Sequence, residues 1–205
     1  MHRPRLILAS GSPRRRQLLQ EAGYEFTVVA PPEDVECGIC SESGPAGLVT
    51  DLAYRKAAAV RQQLLLPQSA LLVAADTVAE CDGFVLGKPR DEEHARAMLR
   101  QLRGRTHRVL TGLCVWPLPH PGPLPAGEGE KMPLVRVAVT QLVMDHLSDD
   151  AVEDYLATGE WRGKAGAFGY QDRLGWVHVE SGSETNVVGL PMELLAEMLA
   201  EVEGS

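Results

Sequence analysis

The chain predicts an α/β fold. Short, fully apolar runs such as Leu6 to Ala9 and Leu71 to Ala75 have the length and composition of buried strands. Helical apolar stripes alternate with them, and Gly, Pro, Ser and Asp mark the boundaries between segments.

In order, Leu6 to Ala9 reads as the first strand and Ser10-Gly11 as a turn. Ser12 is a helix N-cap, and Pro13 stands at the first helical position, where its missing N–H is not needed. The helix runs through Gln17, Leu18, Leu19 and Glu21 and stops at Gly23. Its first turn carries Arg14, Arg15 and Arg16. That end of a helix already bears about +0.5 charge, so cations there disfavour the helix. The arrangement makes sense if an anion binds where backbone N–H groups, the Ser10 and Ser12 hydroxyls and guanidinium groups converge; the plainer reading is solvated surface arginines.

Phe26 to Ala30 reads as a strand ended by Pro31-Pro32. Glu33, Asp34 and Glu36 follow, either as a solvated acidic loop or as cation ligands. A long helix spans about Ala46 to Leu65, with Leu48, Leu52, Ala53, Ala57 and Val60 as its apolar stripe. Lys56 lies beside that stripe, so it either snorkels to solvent or reaches into a cleft. Leu71 to Ala75 is a strand with Asp76-Thr77 at its end, where open α/β sheets place their ligands; an Asp there also serves simply to cap a turn. Val78 to Leu86 forms a hairpin around Cys81-Asp82-Gly83. Lys88 and Arg90 then precede a helix from Glu92 to Leu102, capped by Asp91 and closed by Gly104, which repeats the cations-at-a-helix-start pattern. Thr106 to Trp116 and Leu134 to Val143 are strands separated by a Pro- and Gly-rich stretch, 117–131. Ser148 caps a helix that ends at Gly159. Residues 163–171 are rich in Gly and Ala, which lets backbone approach a neighbour closely, with Lys164 and Gln171 as their polar groups. A short strand from Trp176 to Val179 and a helix from Pro191 to about Val202 complete the chain.

With 205 residues there is room for one domain or two small lobes. The net charge of −8 argues against nucleic acid or an anionic membrane as partner, so the arginine cluster points to a small, focused anion site. No apolar run approaches the ~20 residues of a membrane span or a signal peptide's core, and a cytoplasmic protein is expected. Cys37 and Cys40 form a CxxC without a second pair; these and Cys81 and Cys114 are expected to be reduced thiols. The P-loop, HExxH, GxSxG and GxGxxG patterns are absent.

Arg14, Arg15, Lys56, Lys88, Arg90 and Lys164, taken with Glu36 and Asp76, make a row of cations with one or two carboxylates. That set suits phosphate-ester or phosphoanhydride chemistry: cations hold a polyphosphate, carboxylates hold a divalent metal, and one of them activates water. The chain also resembles the Maf family of nucleotide pyrophosphatases, once described as septum-formation inhibitors. The resemblance rests on Ala9-Ser-Gly-Ser-Pro-Arg-Arg15, Arg55-Lys56-Ala57, Ala75-Asp-Thr77, Gly87-Lys-Pro-Arg90, Arg105-Thr-His107 with Thr111-Gly112, Lys164-Ala-Gly-Ala-Phe-Gly-Tyr-Gln171 and Val188-Gly-Leu-Pro191, in the family's order.

The resemblance implies a Maf/inosine-triphosphatase-like fold: an elongated mixed sheet flanked by helices, with a cleft between two lobes. It implies one such domain over 1–205, with 117–131 as a loop insertion and homodimerisation as a possibility. It also implies hydrolysis of a nucleoside triphosphate to the monophosphate and pyrophosphate with Mg²⁺ or Mn²⁺. Arg14, Thr77 and Gln171 match the branch that acts on dTTP, UTP and modified uridine triphosphates, and a Gln suits the imide edge of those bases. The other branch acts on 7-methyl-GTP. That substrate, a non-canonical purine triphosphate, or a non-catalytic role in cell division are the alternatives. Asp76 is then the catalytic base and a metal ligand with Glu36, the best match to the family's acidic position, for which Glu33 and Asp34 are the alternatives, while Ser10, Ser12, Arg15, Lys56, Lys88, Arg90 and Lys164 bind phosphate. One departure concerns the site: Asp172 follows Gln171, where the family usually has Gly.

Overall fold

Every residue from Leu71 to Asp76 is buried, so both faces of that run must be covered by other elements. The covering elements define the architecture. A computed structural model describes residues 5–36, 43–64, 70–119, 131–172 and 175–204. Within them, β1 (Leu6–Leu8), β2 (Phe26–Val28), β3 (Leu71–Cys81), β5 (Thr106–Pro117), β6 (Leu134–Met144) and β7 (Val177–Ser181) form one sheet in the order β2-β1-β3-β5-β6-β7, and β4 (Phe84–Leu86) pairs with β3. β1 is parallel to β2 and β3, and every other pairing is antiparallel. The expected mixed sheet is therefore present.

Strand alternation sorts the core into two layers. Ile7, Leu72, Ala74 and Cys114 face α2 (Gly44–Gln63) and pack against its Ala53, Ala57 and Val60. Leu6, Leu8, Val73, Ala75 and Leu113 face the other way, onto Leu19 of α1 (Pro13–Glu21) and Leu195 and Leu199 of α6 (Met192–Glu203). A Cβ at Gly112 of β5 would lie 2.1 Å from the Val49 carbonyl oxygen, so only glycine lets α2 lie this close to the sheet.

A second lobe is built on the far halves of β5 and β6. Met98, Leu99 and Leu102 of α3 (Glu92–Leu102) and Val152, Tyr155 and Leu156 of α4 (Asp149–Thr158) pack with Leu142 and Met144 there. Asp91 caps α3 by accepting from the His94 N–H at 2.8 Å, and Ser148 caps α4 by accepting from Ala151 at 3.1 Å, as expected of those residue types.

Several expected boundaries change. β3 does not stop at Ala75: β5 pairs with it from Leu71 to Glu80, so Asp76 and Thr77 lie inside a long strand rather than at its end. What opens there is the opposite edge of the strand. β1 pairs with β3 only through Leu71–Val73 and β4 only through Ala79–Cys81, which leaves residues 74–78 facing no strand on that edge among the described residues. A five-residue helix, α5 (Glu184–Val188), precedes Gly189, where a strand-to-helix connection was expected. Cys37, Cys40 and residues 120–130 of the Pro-rich stretch lie outside the described residues. Cys81 and Cys114 are buried free thiols, and burial pushes Cys114 up to about 12. Among the described residues no helix is long and apolar enough to cross a membrane.

Candidate active site

The open edge of β3 forms the floor of a cleft of about 770 Å³ between the two lobes. The α1 start forms one wall. Its N-cap Ser12 has extended geometry, but its hydroxyl makes no capping bond; instead the Ser12 N–H donates to Ser10 Oγ at 3.2 Å. No acidic residue occupies the first turn. Ser10, Ser12, Arg14 and Arg15 all line the cleft, so the helix end and two of its three first-turn arginines converge there.

The two arginines differ. Arg15 reaches across to protein: its Nε donates to the Gly189 carbonyl at 2.7 Å, Nη1 to Ser10 Oγ at 3.2 Å and Nη2 to Thr77 Oγ1 at 3.1 Å. Thr77 shares a further hydrogen bond with Thr111 at 2.9 Å, and the Thr111 hydroxyl donates to the Asn186 carbonyl at 3.3 Å. Arg15 thus ties α1, β3 and the α5–α6 connection into one rigid wall. This network was not legible from the sequence, because its members lie as much as 174 residues apart. Arg16 is exposed.

At the centre of the floor Lys56 meets Asp76. Lys56 Nζ donates to Asp76 Oδ1 at 2.5 Å, and the two residues are only 5% and 8% exposed. Lys56 therefore reaches into the cleft rather than snorkelling. A buried ion pair is a costly arrangement whose value lies elsewhere than in stability, and a cleft is where such pairs serve chemistry. Lys88 also lines the cleft from an exposed position, whereas Arg90 is exposed and outside the lining.

The acidic residues 33–36 form a single 3-10 turn. Glu33 lines the cleft, and the Glu36 side chain lies outside the described residues. No group of three or more His, Cys, Asp or Glu suited to a metal occurs among the described residues. The donors that do face the cleft, Asp76 and Glu33, fit a hard cation held by one or two carboxylates with substrate phosphate oxygens completing its shell.

Lys164 is placed differently from Lys56. It is 4% exposed but not among the cleft-lining residues. Its Nζ donates to both Asp172 oxygens, at 2.5 and 2.6 Å. The same carboxylate accepts from Tyr155 Oη at 2.8 Å and from the Gly169 N–H at 3.2 Å. Burial first, and then Asp172, push the Tyr155 hydroxyl above its ordinary value, so it stays a donor. Asp172 thus clamps the segment that carries Gln171, whose own side chain lies outside the described residues. Within that segment Gly166 adopts φ 68° and packs against Ala79 and Leu102, where a Cβ would come within 3.3 Å of each.

The distal half of the cleft is apolar. Val109, Leu142, Met144, Val177 and Phe168 line it, and Phe168 stacks on Trp176 at 5.9 Å. His107 lines this half as well, 6% exposed, and burial lowers its pKa. A cationic, hydroxyl-rich end with a carboxylate, joined to an apolar end with an aromatic wall, can hold a polyphosphate and an attached base together.

The chain is 50% identical to the dTTP/UTP pyrophosphatase of Rhodopirellula baltica over 97% of its own length and 82% of the relative's. It is 40% identical to the dTTP/UTP pyrophosphatase of Pelotomaculum thermopropionicum, covering 95% and 94% of the two chains. Among solved structures, a HAM1 protein from Coxiella burnetii aligns over 98% of this chain and 100% of that one, with a TM-score of 0.49 and 14% identity. Residues 5–202 match the family described as Maf-like protein, and the chain belongs to that family.

Proposed function

We propose that the protein hydrolyses dTTP and UTP, together with modified uridine triphosphates, to the nucleoside monophosphate and pyrophosphate. The observation that carries the reading is the buried Lys56–Asp76 pair on the floor of a cleft whose one wall is a cationic helix start. The names of the relatives supply the substrate class.

The triphosphate lies with its charge towards Ser10, Ser12, Arg14, Lys56 and Lys88, and with its base in the apolar half. Lys56 holds Oδ1 of Asp76, which orients the carboxylate and leaves Oδ2 for a water molecule. Asp76 takes a proton from that water as its oxygen bonds to the α-phosphorus, and the α–β bridging bond breaks to release pyrophosphate. Cations and helix N–H groups stabilise the charge that grows on the leaving group. A divalent cation, Mg²⁺ or Mn²⁺, held by Asp76 with Glu33 or Glu36, would lower the pKa of bound water and neutralise phosphate charge. Arg15 and Lys164 serve as positioning residues, the first on the Thr77 wall and the second on the turn before Gln171.

The test is pyrophosphate release from a panel of dTTP, UTP, dCTP, 7-methyl-GTP and inosine triphosphate with Mg²⁺ or Mn²⁺. Turnover should be fastest on dTTP and UTP. A preference for 7-methyl-GTP would overturn the substrate, and metal-independent or absent turnover on every nucleotide would overturn the reaction.

A further inference from the structure

We propose that His107 determines base specificity by accepting a hydrogen bond from the imide N–H of uracil or thymine, an inference that rests on the proposed pyrimidine triphosphate substrate.

The argument begins with the strand. His107 lies on β5 five residues before Gly112, whose register partner is Asp76, and it shares a sheet face with Thr111 and Val109. By alternation it lies on the sheet face opposite that of Gly112 and Asp76, displaced along β5 from the Lys56–Asp76 pair, and both it and Asp76 line the cleft. Its register partner on β6 is Leu142, and Met144 and Phe168 also line the cleft. A buried polar side chain in an apolar wall has to be satisfied or else serve a ligand.

His107 is 6% exposed, and its Nδ1 faces the Arg105 carbonyl at 3.5 Å. A carbonyl only accepts, so this contact, at the outer limit of hydrogen-bond distance, favours the tautomer with the ring proton on Nδ1. Burial lowers the imidazole's pKa and keeps it neutral at physiological pH. Nε2 then carries a lone pair. Nothing among the described residues donates to Nε2, yet it is not an enclosed unsatisfied atom; in the described residues that condition belongs to Asn186 Oδ1. Nε2 is a prearranged acceptor on the cleft surface.

An acceptor in an apolar compartment discriminates sharply, because a base that presents another acceptor leaves two desolvated lone pairs opposed. Uracil and thymine carry a donor at N3, flanked by two carbonyl oxygens. Cytosine carries an acceptor at N3. With the N–H taken by His107, the flanking carbonyls are left for donors or water. Phe168 offers an aromatic face to the same ring.

The experiment compares kcat/KM for dTTP, dCTP and 3-methyl-dTTP in wild type, His107→Phe and His107→Gln, with folding checked by circular dichroism and melting. Wild type should prefer dTTP over both analogues by about 100-fold or more. His107→Phe should reduce the dTTP:dCTP ratio by about tenfold or more, mainly through KM for dTTP, and His107→Gln, whose amide can accept from thymine N3–H or donate to cytosine N3, should recover the KM for dTTP while leaving the ratio low. A ratio in folded His107→Phe within about twofold of wild type overturns the proposal. If His107→Phe does not fold, wild type and His107→Gln still decide: 3-methyl-dTTP turned over as well as dTTP overturns it. Absence of dTTP hydrolysis by wild type would instead sink the proposed function, so the two failures are distinguishable.

Discussion

Two lysines in this protein are buried almost equally and bonded to aspartate at the same distance. Lys56 meets Asp76 at 2.5 Å, and Lys164 meets Asp172 at 2.5 Å. Both belong to motif fragments, and both read in the sequence as phosphate-binding cations. Only the first pair borders the cleft. In that pair Asp76 Oδ2 takes no hydrogen bond from the described residues, so the carboxylate has capacity left for water or a cation. In the second, the carboxylate is used up by Lys164, Tyr155 and Gly169. A buried cation therefore takes its role from how much of its partner carboxylate is already committed.

The largest expected effect breaks the first pair without removing its hydrogen bond. Asp76→Asn keeps an acceptor for Lys56 but cannot take a proton, so pyrophosphate release from dTTP should fall by about 100-fold or more with the fold intact. Asp172→Asn is the matched change in the second pair, and its kcat should stay within about tenfold of wild type. Near wild-type turnover in Asp76→Asn, or equal losses in the two variants, would erase the distinction.

Removing the lysines sharpens the comparison through stability. Lys56→Met and Lys164→Met each leave a buried carboxylate without its cation, a loss of about 3–5 kcal/mol for an uncompensated group. Lys164→Met should lose less, because Tyr155 and the Gly169 N–H still hold Asp172. Its kinetic effect should appear in KM, since the turn it braces carries Gln171. Urea unfolding and steady-state kinetics on the two variants measure both quantities.

The smallest effect lies with an exposed pair of better geometry. Arg96 donates to both oxygens of Glu153 at 2.6 and 2.7 Å, bridging α3 and α4. Arg96→Ala should leave turnover unchanged and shift the melting temperature slightly, less so in high salt. Arg96 holds the Glu153 carboxyl below its ordinary value of 4.5. The contribution is therefore fully present above about pH 4.5 and fades as pH falls through the lower folded value. A melting difference between wild type and Arg96→Ala that grew towards acid would contradict that sign.

The α/β class, nearly every long element and the cationic helix start were legible in the sequence because they depend on local periodicity, capping and charge at short range. Ser12-Pro13 and Asp91 announce helices through backbone geometry alone, and Leu71 to Ala75 announces a strand buried on both faces. Motif order further identified the family, and with it most of the residues that line the cleft. The sequence placed Asp76 at a strand end because the fully apolar run stops there; β5, some 30 residues later in the chain, extends the strand and moves the opening to its edge. The short helix before Gly189 and the Arg15–Thr77–Thr111 network depend likewise on partners distant in the chain. Local chemistry thus determined which cations and hydroxyls gather at the start of α1. Only tertiary packing decided which carboxylate is left free to act, since that depends on what else each aspartate touches, and it decided too that His107 looks into the cleft.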